Sequence, residues 1–455
     1  PDTTVLDDLQ TKTVDYLKNK LAFIFKIEDS KINSKSSFEK YGIDSVMVLN
    51  LTNELESDFG SLPKTLFFEY QTIYELAEYL IKSHKDTLLD ILKLKIKTAP
   101  SEDINIDKNI AIEAMEQPHL SPKLIRKRFY HSHYSKPDKD IKTNQGIAII
   151  GVSGKYPQSN TLKDFYLNLR NGKDCISEIP GERWDNLKYF NPDKDSEGTM
   201  YSKWGGFIDG IDEFDPLFFN ILPREAEIID PQERLFLQCV YETLEDAGYT
   251  RQMLQAFGNS GLPASVGVYV GVMYEEYQFF GIEEQQKGNN LTLYGSPSSI
   301  ANRVSYFCNL HGPSLAIDTM CSSSLTAVHL ACQSLQQGGC ELAIAGGVNL
   351  SIHPNKYLLL SQSNFISSSG RCESFGRGGD GYVPGEGVGA ILLKPFEKAI
   401  EDNDNIYGII KASALNHGGK TNGYTVPNPI AQEDVIAQAL RRAGINPGHV
   451  SYVEA

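Results

Sequence analysis

Two residues in this sequence sit where local structure would expose a reactive group. Cys321 lies in G-P-S-L-A-I-D-T-M-C-S-S-S-L-T-A-V-H-L-A-C-Q-S-L-Q-Q-G-G-C-E-L-A-I-A-G-G, which reads as strand, sharp turn, helix, glycine stop and strand. A thiol in that turn meets the unpaired amides of a helix start, whose partial positive charge favours thiolate, and the three serines after it supply caps. The arrangement parallels the strand-to-helix elbow that exposes a nucleophile in other α/β enzymes, with a backbone N–H able to face an oxyanion. Acyl transfer is the chemistry to expect. The other six cysteines, Cys175, Cys239, Cys308, Cys332, Cys340 and Cys372, read as small buried thiols on residue type.

The second residue is Ser45, in Y-G-I-D-S-V-M-V-L-N-L, placed after a glycine turn and at the first turn of a helix. Its hydroxyl can project into solvent for modification. Taken alone the motif reads first as a helix capped by Asp44 or Ser45.

The elements that must position these residues fall into two groups. Over residues 5–27, Leu6, Leu9, Leu17, Leu21, Ile24 and Phe25 form the stripe of an amphipathic helix, and the pattern returns over 45–59 and 73–81, with Leu49, Leu55, Leu76 and Leu80 facing inward. Residues 1–85 therefore read as all-α. An apolar helical continuation follows from Lys85 to about Ala99, and 86–145 as a whole reads as a linker of alternating acidic, basic and proline-containing stretches. From Gly146 the pattern becomes α/β. Strands are expected at the G-I-A-I-I-G run, 266–272, 315–318, 341–345, 388–394 and 407–413, with helices at 231–247, 322–337 and 431–443.

Composition narrows the function classes. A formal net charge of -15 disfavours phosphate backbones and anionic lipid surfaces, so neither nucleic acid nor membrane is expected as a partner. Seven cysteines without C-x-x-C or Cys/His ligand spacing suit a reducing cytosol better than disulfides or a metal site. No stretch approaches the roughly 18–20 apolar residues of a spanning helix. The chain begins Pro-Asp-Thr-Thr and stops at V-E-A inside an expected strand, which suggests a piece of something longer, cytoplasmic in setting. G-E-G-V-G-A at 385–390 precedes a strand where a phosphate loop should open a helix, and G-V-S-G at 151–154 lacks the G-x-G start, its glycines instead permitting close backbone approach. The R-K-R at 126–128 with nearby aromatics is a solvated linker feature rather than a nucleic-acid patch.

Y-G-I-D-S between two helices, followed by L-P-K-T-L-F-F-E-Y-Q-T-I-Y-E-L-A-E-Y-L, resembles an acyl carrier protein across nearly the whole segment. The resemblance implies a four-helix carrier whose Ser45 bears 4'-phosphopantetheine, installed by a phosphopantetheinyl transferase with Asp44 helping to present the site. D-T-M-C-S-S-S-L-T-A-V-H-L-A closely resembles the active-site segment of modular type I polyketide ketosynthases. G-I-A-I-I-G-V-S-G-K-Y-P, D-P-Q-E-R-L-F-L-Q-C-V-Y-E-T-L-E-D-A-G-Y, N-R-V-S-Y-F-C-N-L-H-G-P-S and D-G-Y-V-P-G-E-G-V-G-A follow the same family in order through 146–455. V-G-V-Y-V-G-V-M-Y-E-E-Y-Q and N-H-G-G-K-T-N-G-Y-T-V-P-N are most similar to the trans-acyltransferase subclass, whose acyltransferase is a separate protein.

The resemblance implies a multidomain chain: an all-α carrier plus an incomplete α/β thiolase-like ketosynthase, homodimeric in the intact protein. Cys321 would take an acyl chain, Met320 would shape the acyl pocket, and a malonyl-type thioester on a carrier would supply the extender for a decarboxylative Claisen condensation in secondary-metabolite biosynthesis. The alternatives are a ketosynthase that transfers chains without elongating them, or a scaffold module without chemistry, against which Cys321 argues. The family's two catalytic histidines normally follow a segment like V-S-Y-V-E-A, so this stretch alone would not condense. His417 and His449 fall in other motifs, with His417 structural or pocket-lining.

Overall fold

In the computed structural model the described residues are 3–25, 27–41, 51, 54–60, 62–63, 66–92, 146–258, 261–420 and 427–454. They form a helical unit and an α/β unit. In the first, α1 (Thr3–Phe25), α2 (Leu66–Glu69), α3 (Ile73–Ser83) and α4 (Lys85–Ile91) surround one apolar cluster. Leu9, Leu17, Leu21, Leu55, Leu76 and Leu80 are buried, as the helical spacing predicts. Each such leucine, fully withdrawn from water, stabilises the fold by about 1.5–3 kcal/mol. The side chains of Leu6, Ile24, Phe25 and Leu49 lie outside the described residues. Thr72 starts α3 with a capping box: its hydroxyl accepts from Glu75 N (3.2 Å) while the Glu75 carboxylate accepts from Thr72 N (3.1 Å). Leu88 of α4 is fully buried in the same cluster, so the apolar helix after His84 contributes to this core. Residues 93–145, including R-K-R, lie outside the described residues.

The α/β unit is built on a mixed six-stranded sheet. Its strands are β1 (Ile147–Lys155), β2 (Val266–Gly271), β3 (Ser314–Ile317), β4 (Leu342–Asn349), β5 (Gly387–Pro395) and β6 (Gly408–Ile410), in the order β3-β2-β4-β5-β1-β6. β2 runs parallel to β3 and β4, whereas β5 is antiparallel to both β4 and β1. All six coincide with expected strands, β6 being shorter and β1 and β4 longer than their patterns. Ser451–Glu454 is not a strand, contrary to the expectation for V-E-A, because no described strand lies beside it to share a ladder.

Alternation along β2 divides its side chains between two layers. Val266, Val268 and Val270 face the cluster that holds Leu235 and Phe236 of α5 (Pro231–Asp246) and Ile300 and Val304 of α6 (Pro297–Cys308). Tyr269 faces the opposite cluster, with Ala327, Ala331 and Leu335 of α7 (Ser323–Gln336). α5 lies close against β1 because Gly151 has no Cβ: one placed there would sit 2.6 Å from Thr243 O. That is the close approach expected of the glycines in G-V-S-G. α8 (Pro429–Ala443) starts on Asn428, whose side chain accepts from Ile430 N and Ala431 N. Among the described residues no helix is long and apolar enough to cross a membrane.

Candidate active site

Cys321 sits at the carboxyl ends of β2, β3 and β4, two residues ahead of α7. The turn from β3 into α7 is sharp because Met320 takes the left-handed region at φ 58°. A non-glycine residue there costs about 1–3 kcal/mol unless its surroundings enforce it. Here they do. Asp318 Oδ1 accepts from Met320 N (2.9 Å), Ser323 Oγ donates to Met320 O (2.6 Å), and Thr319 N donates to Ser323 Oγ (2.9 Å). The serines after Cys321 were expected to cap the helix. Instead no side chain caps α7, and Ser322 and Ser323 bond the elbow, Ser322 Oγ donating to Thr319 O at 2.9 Å. Their short hydroxyls reach the turn more directly than the first helical amides.

The helix start is seated on glycine. A Cβ at Gly271 of β2 would lie 2.5 Å from Ser324 N and 2.7 Å from the Ser323 carbonyl carbon, so only glycine lets α7 come this close to the sheet. Cys321 is exposed and opens, with Met320, onto a cavity of about 640 Å³. Tyr274, Tyr382, Lys356 and Glu386 line it too, none of them singled out from sequence. The signal was present in part, since ligand sites in α/β sheets gather beyond the carboxyl ends of strands, and Tyr274 follows β2.

Glu386 is fully buried, yet it is completely paired: Arg183 Nη2 (3.0 Å), Ile208 N (3.0 Å) and Ser351 N (2.9 Å) all donate to its carboxylate. Lys356 is also buried, and desolvation lowers its ammonium to about 8. Its Nζ donates to Asn349 Oδ1 (3.0 Å) and Leu350 O (3.1 Å) and lies 4.6 Å from the Tyr274 ring centre.

The other thiols divide. Cys239, Cys308, Cys332 and Cys340 are buried as expected, and burial pushes the first two up to about 12 and Cys332 to about 11. Cys175 is half-buried and Cys372 is exposed, contrary to expectation, because both stand on loops; Cys372 Sγ accepts from Val383 N at 3.4 Å. His417 and His449 are exposed and neither lines the cavity; His417 Nδ1 accepts from Gly419 N (2.9 Å), a loop bond. Ser45 falls among residues 42–50, outside the described residues.

Comparisons with known proteins agree with this geometry. Residues 144–399 match the family model for the beta-ketoacyl synthase N-terminal domain, 407–455 its C-terminal domain, and 15–80 the phosphopantetheine attachment site. The chain is 56% identical to polyketide synthase PksL of Bacillus subtilis over 98% of its own length and 10% of the relative's. It is 51% identical to polyketide synthase ThaG of Burkholderia thailandensis, over 96% of the chain and 8% of the relative. The chain thus spans about a tenth of the length of these relatives.

Among solved structures, the oxazolomycin ketosynthase domain OzmH KS7 of Streptomyces albus JA3453 superposes with a TM-score of 0.65 at 50% identity, covering 68% of this chain and 53% of that one. The ketosynthase from module 6 of the bacillaene synthase of Bacillus subtilis gives 0.61 at 42% identity, covering 68% and 50%. The cofactor of the matched attachment domain is 4'-phosphopantetheine, which supplies a flexible thiol on which an acyl chain rides as a thioester. With its thiolase-like sheet, its cysteine elbow and a phosphopantetheine attachment domain ahead of them, the chain belongs to the beta-ketoacyl synthase family as found in polyketide synthases.

Proposed function

We propose that this chain is an assembly-line segment in which residues 1–85, with the helix Lys85–Ile91 that packs on their core, are the carrier, the rest of 86–145 is a linker and 146–455 is a ketosynthase. Ser45 holds the phosphopantetheine arm. Cys321 Sγ accepts the acyl chain from a carrier thioester, releasing the arm's thiol. In the longer enzyme a malonyl-type thioester then loses CO2, and its enolate carbon attacks the acyl-Cys321 carbonyl, forming the carbon–carbon bond and freeing the Cys321 thiolate. The product is a β-ketoacyl thioester. The observation that carries this reading is the exposed Cys321 on its left-handed elbow, opening with Met320 onto the cavity. Met320 shapes the acyl end of that space.

The partners follow: a phosphopantetheinyl transferase for Ser45, a separate acyltransferase to load the extender, and a second copy of the ketosynthase. β3 supports the last, since one side of it is unpaired among the described residues and Leu315 is exposed there. The setting is cytoplasmic, in keeping with seven free cysteines. Intact and peptide masses test the assignment. Incubation with a transferase and coenzyme A should add one arm, lost in Ser45→Ala, and an acyl thioester donor should add its acyl mass to the Cys321 peptide. An undiminished arm in Ser45→Ala, or acyl transfer surviving Cys321→Ala, would remove the corresponding residue from the scheme. A β-ketoacyl product made by a longer protein that carries the two family histidines separates elongation from simple transfer.

A further inference from the structure

Three side chains in the cavity wall have no part in the bond-making described above. Tyr274, in the loop after β2, and Tyr382, ahead of β5, line the cavity together with Cys321. Burial raises both phenol pKa values, Tyr382 to about 12, and both lie near enough to Cys321 that a negative charge there raises them further. The two phenols also sense one another. Both therefore remain protonated donors at neutral pH.

Neither donor is used by the protein: among the described residues, neither hydroxyl has a hydrogen-bond partner. Their backbones are nonetheless fixed. Tyr274 O accepts from Gln232 Nε2 (2.7 Å), Tyr382 N donates to Phe365 O (2.8 Å), and Ser367 N donates to Tyr382 O (2.8 Å). Lys356 fixes the Tyr274 ring in turn, its ammonium held over the face by Asn349 and Leu350. The charged neighbours are already engaged, Glu386 by Arg183 and Lys356 as described. The free polarity beside the nucleophile thus includes these two neutral phenol O–H donors, in a wall that also holds Tyr156, Ser324 and apolar residues such as Val272, Val328 and Val388. An unsubstituted alkyl chain leaves those donors without partners, while an oxygen on the chain accepts from them.

We propose that Tyr274 and Tyr382 select acyl chains carrying an oxygen, as hydroxyl or carbonyl, on the first carbons beyond the thioester, and that Lys356 is the positioning residue for Tyr274. This rests on Cys321 receiving the acyl chain. The test is a competition on the full chain between the N-acetylcysteamine thioesters of butyrate and 3-hydroxybutyrate, read as the two acyl masses on the Cys321 peptide. The hydroxylated chain should load preferentially by about two- to tenfold, the range of one neutral hydrogen bond. Tyr274→Phe and Tyr382→Phe should each remove part of that preference, and the double variant should flatten it to a ratio near one. A ratio is unaffected by a general loss of loading.

Lys356→Met should lower the ratio as well, yet add nothing in a Tyr274→Phe background, which a merely structural lysine would not predict. A wild-type ratio of one, or ratios in both phenylalanine variants equal to wild type, would overturn the selection while leaving acyl-Cys321 intact. No acyl mass on the Cys321 peptide with either donor, or a gain that persists in Cys321→Ala, would instead overturn the nucleophile assignment and the selection with it.

Discussion

Ser323→Ala isolates what holds the turn that carries Cys321. The Ser323 hydroxyl makes two bonds to the elbow, donating to Met320 O at 2.6 Å and accepting from Thr319 N at 2.9 Å. At about 0.5–1.5 kcal/mol for each neutral bond, their loss costs about 1–3 kcal/mol. The left-handed Met320 stores strain of the same order, about 1–3 kcal/mol, and persists only while its surroundings enforce it. Removing the hydroxyl therefore tips the balance toward a relaxed turn, with Cys321 displaced from the mouth of the cavity. The melting temperature should fall by a few degrees. The alkylation rate of Cys321 by iodoacetamide, divided by that of exposed Cys372 in the same molecule, should fall severalfold, and Ser323→Thr, which keeps a hydroxyl, should restore most of it. A Ser323→Ala protein with wild-type melting and an unchanged Cys321 to Cys372 ratio would refute the claim that this hydroxyl enforces the elbow.

Alkylation mapped over all seven cysteines at pH 8 should mark Cys321 and Cys372 and spare Cys239, Cys308 and Cys332, whose burial holds them protonated; labelling of Cys308 at the pace of Cys372 would contradict that burial. Burial also pushes the Asp230 carboxyl from 3.8 up to about 6, so the folded chain binds a proton that the unfolded chain has released. This group's contribution to stability is therefore lost as pH rises from about 4 to about 6, by at most about 3 kcal/mol at 1.36 kcal/mol per pKa unit. Asp230→Asn keeps an oxygen to accept from Gln232 N, so its urea midpoint should gain on wild type across that interval, and parallel curves would count against a buried proton.

Much of the scaffold was legible because its elements carry their own periodicity. α5, α7 and α8 matched the helical patterns, and β2 and β5 the strand runs, to within a residue or two. Cys321 stood out because one strand-turn-helix segment carries all of its local geometry. Lys356, Tyr274 and Tyr382 did not, since they reach the cavity from segments more than a hundred residues apart at the extremes. Nothing in H-P-N-K-Y distinguishes a buried ammonium under a tyrosine ring from a solvated surface lysine. The serines after Cys321 misled for a related reason: residue type named helix caps, but a hydroxyl bonds whichever backbone group the turn brings nearest, and here that was the elbow.

The same distance in sequence explains why the cavity is held by buried charge. Glu386 gathers Arg183, Ile208 N and Ser351 N, from three separate segments of the chain, around one carboxylate with no exposed side-chain surface. Burying such a pair is costly, and replacing it with apolar groups often leaves stability unchanged or higher, so net stability is a weak reason for it to be there. What an apolar replacement cannot do is fix direction: each bond to the carboxylate sets the place of one backbone segment. β5 begins at the next residue, Gly387, and Lys356 lies five residues beyond Ser351. Breaking one partner would leave an uncompensated buried charge in the cavity wall, so the network locks that wall in one arrangement. The elbow of Cys321 is set by local hydrogen bonds, one of them to the Asp318 carboxylate, and by the absent Cβ of Gly271. The wall at Glu386 thus depends on desolvated charge and the Cys321 turn on close packing and local hydrogen bonds, so substitutions in the two should act on different observables: chain selection for the first, thiol reactivity for the second.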